Sequence, residues 1–304
     1  MHKHYGAFLL FIGLLGSAQT PPVKLRVLGT VQDAGAPQLA CKKQCCHNLS
    51  LVEKDRRKVS SLAVQVSGGN QAYLFDASPD LSHQFATLLE NDVEEIAGIF
   101  LTHAHMGHYA GLLQLGREAY NSASVPVYAM PRMRTFLQKN APWEQLLQLQ
   151  NIVLKTLEAN QSVALEGGLR VQPIVVPHRD EYSETVAYWI QGPTKSALYL
   201  PDIDKWERWK TPIEEWIQRV DYAFLDATFY DGQEIPHRSM EEIPHPFVVE
   251  SLQRFESLPL SQRQKIHFIH LNHTNPLLQT RGDAYQKVKA LGYQIAELGD
   301  VFSL

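Results

Sequence analysis

A four-layer α/β fold, with two sheets covered on their outer faces by helices, is the class this sequence predicts. Three observations carry it. Strand-like and helix-like segments alternate through both halves of the 304 residues. One segment, 96–102 (IAGIFLT), reads as an apolar buried strand. No short-period repeat, low-complexity tract or Gly-, Ser- or Pro-rich linker divides the chain.

In chain order, 24–30 (KLRVLGT) alternates as a strand. Segments 61–67 and 71–76 form a hairpin about Gly69-Asn70. A helix over 79–90 shows Leu81, Phe85, Leu88 and Leu89 on one face. After the apolar strand come a helix over 109–120, a strand over 125–129 and a helix opened by Pro131, whose ring suits a first helical position. Later strands are expected at 153–157, 169–176, 185–190, 197–200, 222–225 and 267–271, with helices at 212–219, 246–255 and 283–291.

Composition bounds the function. Hydrophobic residues make up 44% and charged residues 20%, which excludes intrinsic disorder, collagen-like repeats and coiled coil. The net charge of −4 gives no electrostatic case for nucleic acid or an anionic membrane, so neither is expected as a partner. The N-terminus has the layout of a secretory signal peptide over 1–18: His2, Lys3 and His4, an apolar core over 7–15, then Gly16-Ser17-Ala18. The mature chain is then a single domain over 19–304, periplasmic or secreted, with no stable membrane insertion after cleavage. An uncleaved anchor is the alternative; the short apolar core argues against it. No cysteine follows that core, which speaks against a lipoprotein.

The richest segment is Phe100-Leu-Thr-His-Ala-His-Met-Gly-His-Tyr-Ala-Gly111. It places His103, His105 and His108 on a strand-to-helix loop. Three converging imidazoles are how proteins hold zinc, iron or manganese, whereas three surface histidines on a polar loop would do nothing. His178, Asp202 and His270 each follow a predicted strand, where ligands gather in open α/β folds. Singly, each is also an ordinary turn residue.

With these residues the sequence resembles the metallo-β-lactamase superfamily, whose H-x-H-x-D-H loop is followed by a His, an Asp and a final His after successive strands. Within it, VLGTVQDAGAPQLAC, FLDATFYD and HLNHTNP resemble the branch that holds the pyrroloquinoline-quinone biosynthesis B proteins and the phosphoribosyl cyclic phosphodiesterases. The resemblance implies a four-layer αββα sandwich with the metal site at the edge between the sheets. It assigns His103, His105 and His178 to a first metal, and His108, His270 and the shared Asp202 to a second. One position departs: the family's loop aspartate falls on Gly107. The second site is therefore weakened, and either one metal is held or the second takes a carboxylate from elsewhere. Asp33 is the candidate substitute; it serves equally well as the shaper of a Gly-containing turn.

Cys41, Cys45, Cys46 and His47 form a second cluster. Vicinal cysteines make a strained disulfide at best, and three thiols on one loop suit a structural zinc. The resemblance supplies the fourth ligand, since the phosphodiesterase completes such a site three residues beyond its last active-site histidine, here His273. His47 is the rival, and a disulfide from Cys41 to Cys45 or Cys46 is the alternative after export.

The chemistry expected is that of an exported metallo-hydrolase acting on a small-molecule substrate, a phosphodiester or similar small ester, through a metal-acidified water. Asp202 would orient that water. Asp226 resembles the acidic position of tRNA 3′-processing endonucleases, and His245 would be its partner, protonating the leaving group. Asp231, His237 and Tyr109 are candidates for the pocket mouth. Two other readings stand beside this one: a mononuclear iron oxygenase akin to the quinone-biosynthesis protein, and a non-catalytic ligand carrier with a worn site. Segments 206–212 and 235–247, rich in Pro and aromatics, are candidates for lids or homodimer contacts.

Overall fold

The computed structural model describes residues 1–2, 22–66 and 68–304. Among the described residues fourteen strands run in chain order: β1 Val23–Gly29, β2 Ser61–Val66, β3 Gln71–Phe75, β4 Glu95–Phe100, β5 Val125–Ala129, β6 Ile152–Thr156, β7 Val163–Ala164, β8 Arg170–Val175, β9 Val186–Gln191, β10 Ser196–Leu200, β11 Tyr222–Asp226, β12 Ile266–Ile269, β13 Gln294–Ile295 and β14 Val301–Ser303. They form two seven-stranded sheets, ordered β14-β1-β2-β3-β4-β5-β6 and β13-β12-β11-β10-β9-β8-β7. The expected leader falls almost wholly outside the described residues. Among the described residues, no helix is long and apolar enough to cross a membrane.

Side-chain alternation along each strand builds the layers. Phe75 and Phe100 of the first sheet meet Tyr188, Tyr199 and Phe224 of the second between the sheets. Their strand neighbours Leu74 and Ile99 point outward, under Leu81, Leu88, Met133 and Leu137 of the helices Leu81–Leu89 and Pro131–Lys139. On the far side, Leu198, Leu225 and Phe268 pack under Ile213, Ile217, Val248 and Val288 of the helices Ile213–Arg219, Val248–Arg254 and Asp283–Ala290. This is the αββα sandwich. Strand pairs β3–β4, β10–β11 and β11–β12 are parallel, so their carboxyl ends collect along one edge.

Two expectations are corrected. The helix read over 109–120 is one α turn, Met106–Tyr109, followed by a 3₁₀ segment, Ala110–Leu115. The cause is Gly111: its N–H donates to the Ala77 carbonyl at 2.9 Å, and a Cβ there would lie 2.0 Å from the Ser78 oxygen. The chain is thereby pulled against the end of β3 and leaves the α path. Segment 206–212 is no lid, because Trp206 and Trp209 are buried in the core beneath the second sheet, and Trp206 Nε1 donates to Ser251 Oγ at 2.9 Å. In segment 235–247, Ile243 and Phe247 are buried while 236–239 stand exposed.

His267 on β12 gives the fold a pH dependence that is independent of any metal. Its ring is enclosed by Phe224 and Phe302 at 5.2 and 4.9 Å. Burial, with a smaller push from Lys289, drives the imidazole down to about 4. An unfolded histidine takes up its proton near 6.5, so the stabilisation is complete above that pH and is lost as pH falls toward 4. The full window is worth roughly 3 kcal/mol. In urea titrations from pH 7 to 4.5, His267→Phe is expected to lose less stability than the unmodified chain. Equal slopes would show that His267 is protonated in the fold.

Candidate metal centre

Each of the six family positions sits at or just beyond a strand end. His103, His105 and His108 follow β4, His178 follows β8, Asp202 follows β10 and His270 follows β12. Ligand atoms of His103, His105 and His178 lie within 4.8 Å of one another, and so do those of Asp33, His108, Asp202 and His270. His103 Nε2 is 2.8 Å from His105 Nδ1. Asp202 stands between the two groups. Its Oδ2 is 3.0 Å from His108 Nε2, 3.2 Å from His270 Nε2 and 3.9 Å from His103 Nε2, and its Oδ1 is 3.6 Å from His178 Nε2.

The rings are aimed from behind. Thr102 Oγ1 lies 3.0 Å from His103 Nδ1, Asp76 Oδ2 lies 2.7 Å from His108 Nδ1, Thr228 Oγ1 lies 3.0 Å from His270 Nδ1 and Asp204 Oδ1 lies 3.4 Å from His178 Nδ1. At His103, His108 and His270 these partners fix Nδ1, which sets the tautomer and leaves Nε2 to face the centre; His178 Nδ1 makes no hydrogen bond among the described residues. Asp76 and His270 both adopt left-handed backbone, φ 69° and 65°, a strained conformation concentrated at functional sites. Sequence reasoning missed Asp76, Thr102, Thr228 and Asp204. Asp76 had a signal, because it ends a buried strand as Asp202 and Asp226 do.

The donor set fits a divalent cation. His108 Nε2, His178 Nε2 and Asp202 Oδ2 are buried without a hydrogen-bond partner among the described residues. Such orphans are costly unless an ion or water completes them. The electrostatics agree. Burial, then the neighbouring His108, holds the His103 imidazole well below its usual range and therefore neutral. Burial opposes charge on His108 too, but Asp76 and Asp33 overcome it and raise the ring well above its usual range, so the pocket favours positive charge at this point. Burial raises the Asp202 carboxyl, yet His270, His108 and His103 draw it well below the usual range. The centre is enclosed except near Asp33 and His105, whose side chains are 13% and 16% exposed. Glu181, Tyr182 and Met106 stand exposed there.

Asp226 accepts from Thr228 N and Oγ1 at 2.9 and 2.7 Å and from Ile203 N at 3.1 Å. Its Oδ2 lies 2.8 Å from His245 Nδ1. Burial pulls the His245 imidazole down, the Asp226 carboxylate outweighs it, and the group settles at about 8. His245 also groups with His178 and Asp202 within 4.8 Å. Of the mouth candidates, Asp231 accepts from Gln233 N at 2.9 Å in its own turn, and His237 is exposed. Tyr109 does not face the centre; it packs on Phe136 and Trp143 at 5.4 and 4.9 Å.

Cys41, Cys45, Cys46 and His273 form a separate group within 4.8 Å, and the three thiols are free. His47 is exposed and outside the group. Burial lifts the Cys46 thiol to about 11, while its hydrogen bond to Cys41 lowers that neighbour. A cleft of about 690 Å³ lies against Cys45, Arg57 and Tyr285, away from the histidine centre.

The Beta-lactamase superfamily domain matches residues 71–296. Coenzyme PQQ synthesis protein B of Nitrosococcus oceani is 28% identical over 310 residues, covering 90% of this chain and 97% of that protein. Its counterpart from Acinetobacter baylyi is 24% identical over 302 residues, covering 90% and 97%. Among solved structures, Zn(2+)-bound PqqB from Methylobacterium extorquens superposes with a TM-score of 0.77 at 22% identity, covering 92% of this chain and all of that one. A diphosphatase from the PhnP family gives 0.67 at 24% identity, covering 93% and 97%. Built as two packed sheets with a histidine-rich edge and matched over most of its length, the chain belongs to the beta-lactamase superfamily, in its metallo-β-lactamase fold.

Proposed function

We propose that the protein is an exported metal-dependent hydrolase of a phosphodiester or similar small ester. The observation that carries this reading is the pairing of a two-part histidine and carboxylate centre with the Asp226–His245 dyad beside it. His103, His105 and His178 would hold one cation, zinc on the analogy of the relative's structure or else iron or manganese, and His108, His270 and Asp202 would take part in holding a second. Bound cations supply Lewis acidity and make a neighbouring water acidic near neutral pH. Asp202 orients that water and takes up charge between the two groups. His245 carries a proton at neutral pH, held at Nδ1 by Asp226, so that Nε2 can donate to a departing oxygen. The burial of the centre excludes bulk water from everything except the Asp33 and His105 side. Cys41, Cys45, Cys46 and His273 would hold a structural zinc. Export rests on the leader over 1–18.

The test is turnover of a chromogenic phosphodiester by protein loaded with zinc, manganese or iron. His103→Ala is expected to abolish it while leaving the cysteine-bound metal in elemental analysis. No turnover across phosphodiesters, lactones and thioesters would end the hydrolase reading. A second reading, a mononuclear iron oxygenase, takes its motive from the likeness to coenzyme PQQ synthesis protein B over 90% of this chain. Iron as the only metal of the histidine centre in anaerobically purified protein, with oxygen uptake on substrate addition, would select it.

A further inference from the structure

We propose that Asp33 is a ligand of the second cation, replacing the loop carboxylate that Gly107 cannot offer. The inference rests on the reading of the centre as a metal site. Asp33 Oδ1 lies 2.9 Å from His108 Nε2 and 3.3 Å from His270 Nε2, the two rings that converge on the same Asp202 oxygen. A carboxylate against two imidazoles supplies the anionic ligand that a divalent ion in this position otherwise lacks.

Its placement is built into the backbone. Beyond β1, Val31 bridges in parallel to both Val59 and Leu271. Leu271 N donates to the Thr30 carbonyl at 2.8 Å, and Gln32 N donates to the Leu271 carbonyl at 2.9 Å. Asp33 is therefore delivered by a short ladder laid directly beside His270. The turn that follows closes through Gly35 N donating to the Gln32 carbonyl at 2.8 Å, and Ala34 N reaches Gln32 Oε1 at 3.4 Å. The Asp33 carboxylate takes no part in shaping that turn. It is left over for the rings.

Gly107 is the other half of the exchange. A Cβ at 107 would stand 2.3 Å from Asp33 Oδ1 and 2.6 Å from Asp33 Cα. The space an aspartate at 107 would need is filled by the backbone and carboxylate of Asp33. The missing family residue is thus a transfer of one ligand from the metal loop to the N-terminal segment, and the centre keeps its carboxylate count. This also removes the one feature that favoured a worn, non-catalytic site.

The test counts zinc bound per chain, by elemental analysis and by calorimetric titration of the metal-free protein, in the unmodified chain, Asp33→Asn and Gly107→Ala. Asp33→Asn keeps the size and removes the charge. It is expected to hold one equivalent fewer, or to bind the weaker equivalent at least ~10-fold less tightly, while the metal-free protein still unfolds in one cooperative transition. Gly107→Ala, which pushes Asp33 aside, is expected to weaken the same equivalent although Asp33 is still present. Because the cysteine cluster contributes equally to all three proteins, only the difference matters. Asp33→Asn with an unchanged count and affinities within twofold would overturn the assignment, as would an unmodified chain that holds a single cation outside the cysteine cluster. Two cations lost to one in Asp33→Asn, without any hydrolysis by the unmodified chain, would uphold Asp33 and sink the hydrolase reading instead.

Discussion

Asp202→Ala is expected to lose the cations of the histidine centre and to lower phosphodiester turnover by on the order of a thousandfold, the several kcal/mol that bound cations contribute. The Asp202 carboxylate approaches five rings, with Oδ2 at 3.0, 3.2 and 3.9 Å from His108, His270 and His103 and Oδ1 at 3.6 and 3.8 Å from His178 and His245. Removing it strips both groups of their shared anion at once. Asp202→Asn separates charge from shape: it fills the same space, and its amide cannot replace a carboxylate between two cations. Elemental analysis beside single-substrate kinetics checks the prediction. A variant that keeps its metal and its rate would show that the two groups work without a bridge.

Phe100→Ala is expected to cost about 3–5 kcal/mol of folding stability in urea unfolding of the metal-free protein. The ring is fully buried between the sheets. It stacks on Phe75 and Tyr128 at 5.3 and 4.3 Å and meets Tyr188 edge-on at 5.6 Å. No single neighbour can collapse into the space without breaking another of these contacts. The position also matters to the centre. The Phe100 carbonyl accepts from Asp76 N at 2.8 Å, and Thr102 N, two residues on, donates to the Asp76 carboxylate at 2.8 Å. A loosened β4 end should therefore weaken metal binding as well. A loss below about 1 kcal/mol would mean that the layer between the sheets is far less tightly packed than its geometry indicates.

Much of this was legible because it follows from local pattern. The apolar run over β4 and the alternation of β2 and β3 announce buried strands. Histidines at 103, 105 and 108 announce a ligand loop, and strand-final His178, Asp202 and His270 announce its partners. What was not legible depends on contacts remote in sequence. Gly107 alone does not reveal that Asp33 fills its space, since 74 positions separate them and they meet only in the folded chain. The Trp206 and Trp209 pair looks the same in sequence whether it covers a pocket or fills a core. The edge strands β7, β13 and β14 span two or three residues, too few for any periodicity. One signal was readable and went unread: Ser50 and Glu53 form a capping box that opens the helix Leu51–Arg56.

The residues grouped for metal run from Asp33 to His273, nearly the length of the chain. Synthesis proceeds from the N-terminus, so neither the carboxylate-bearing group nor the thiol group can close until the last strands have been made. The trio of His103, His105 and His178 is complete almost a hundred positions sooner. The three groups thus make different demands on the polypeptide: the trio draws its ligands from the first 178 residues, whereas the carboxylate-bearing group waits for His270 and the thiol group for His273.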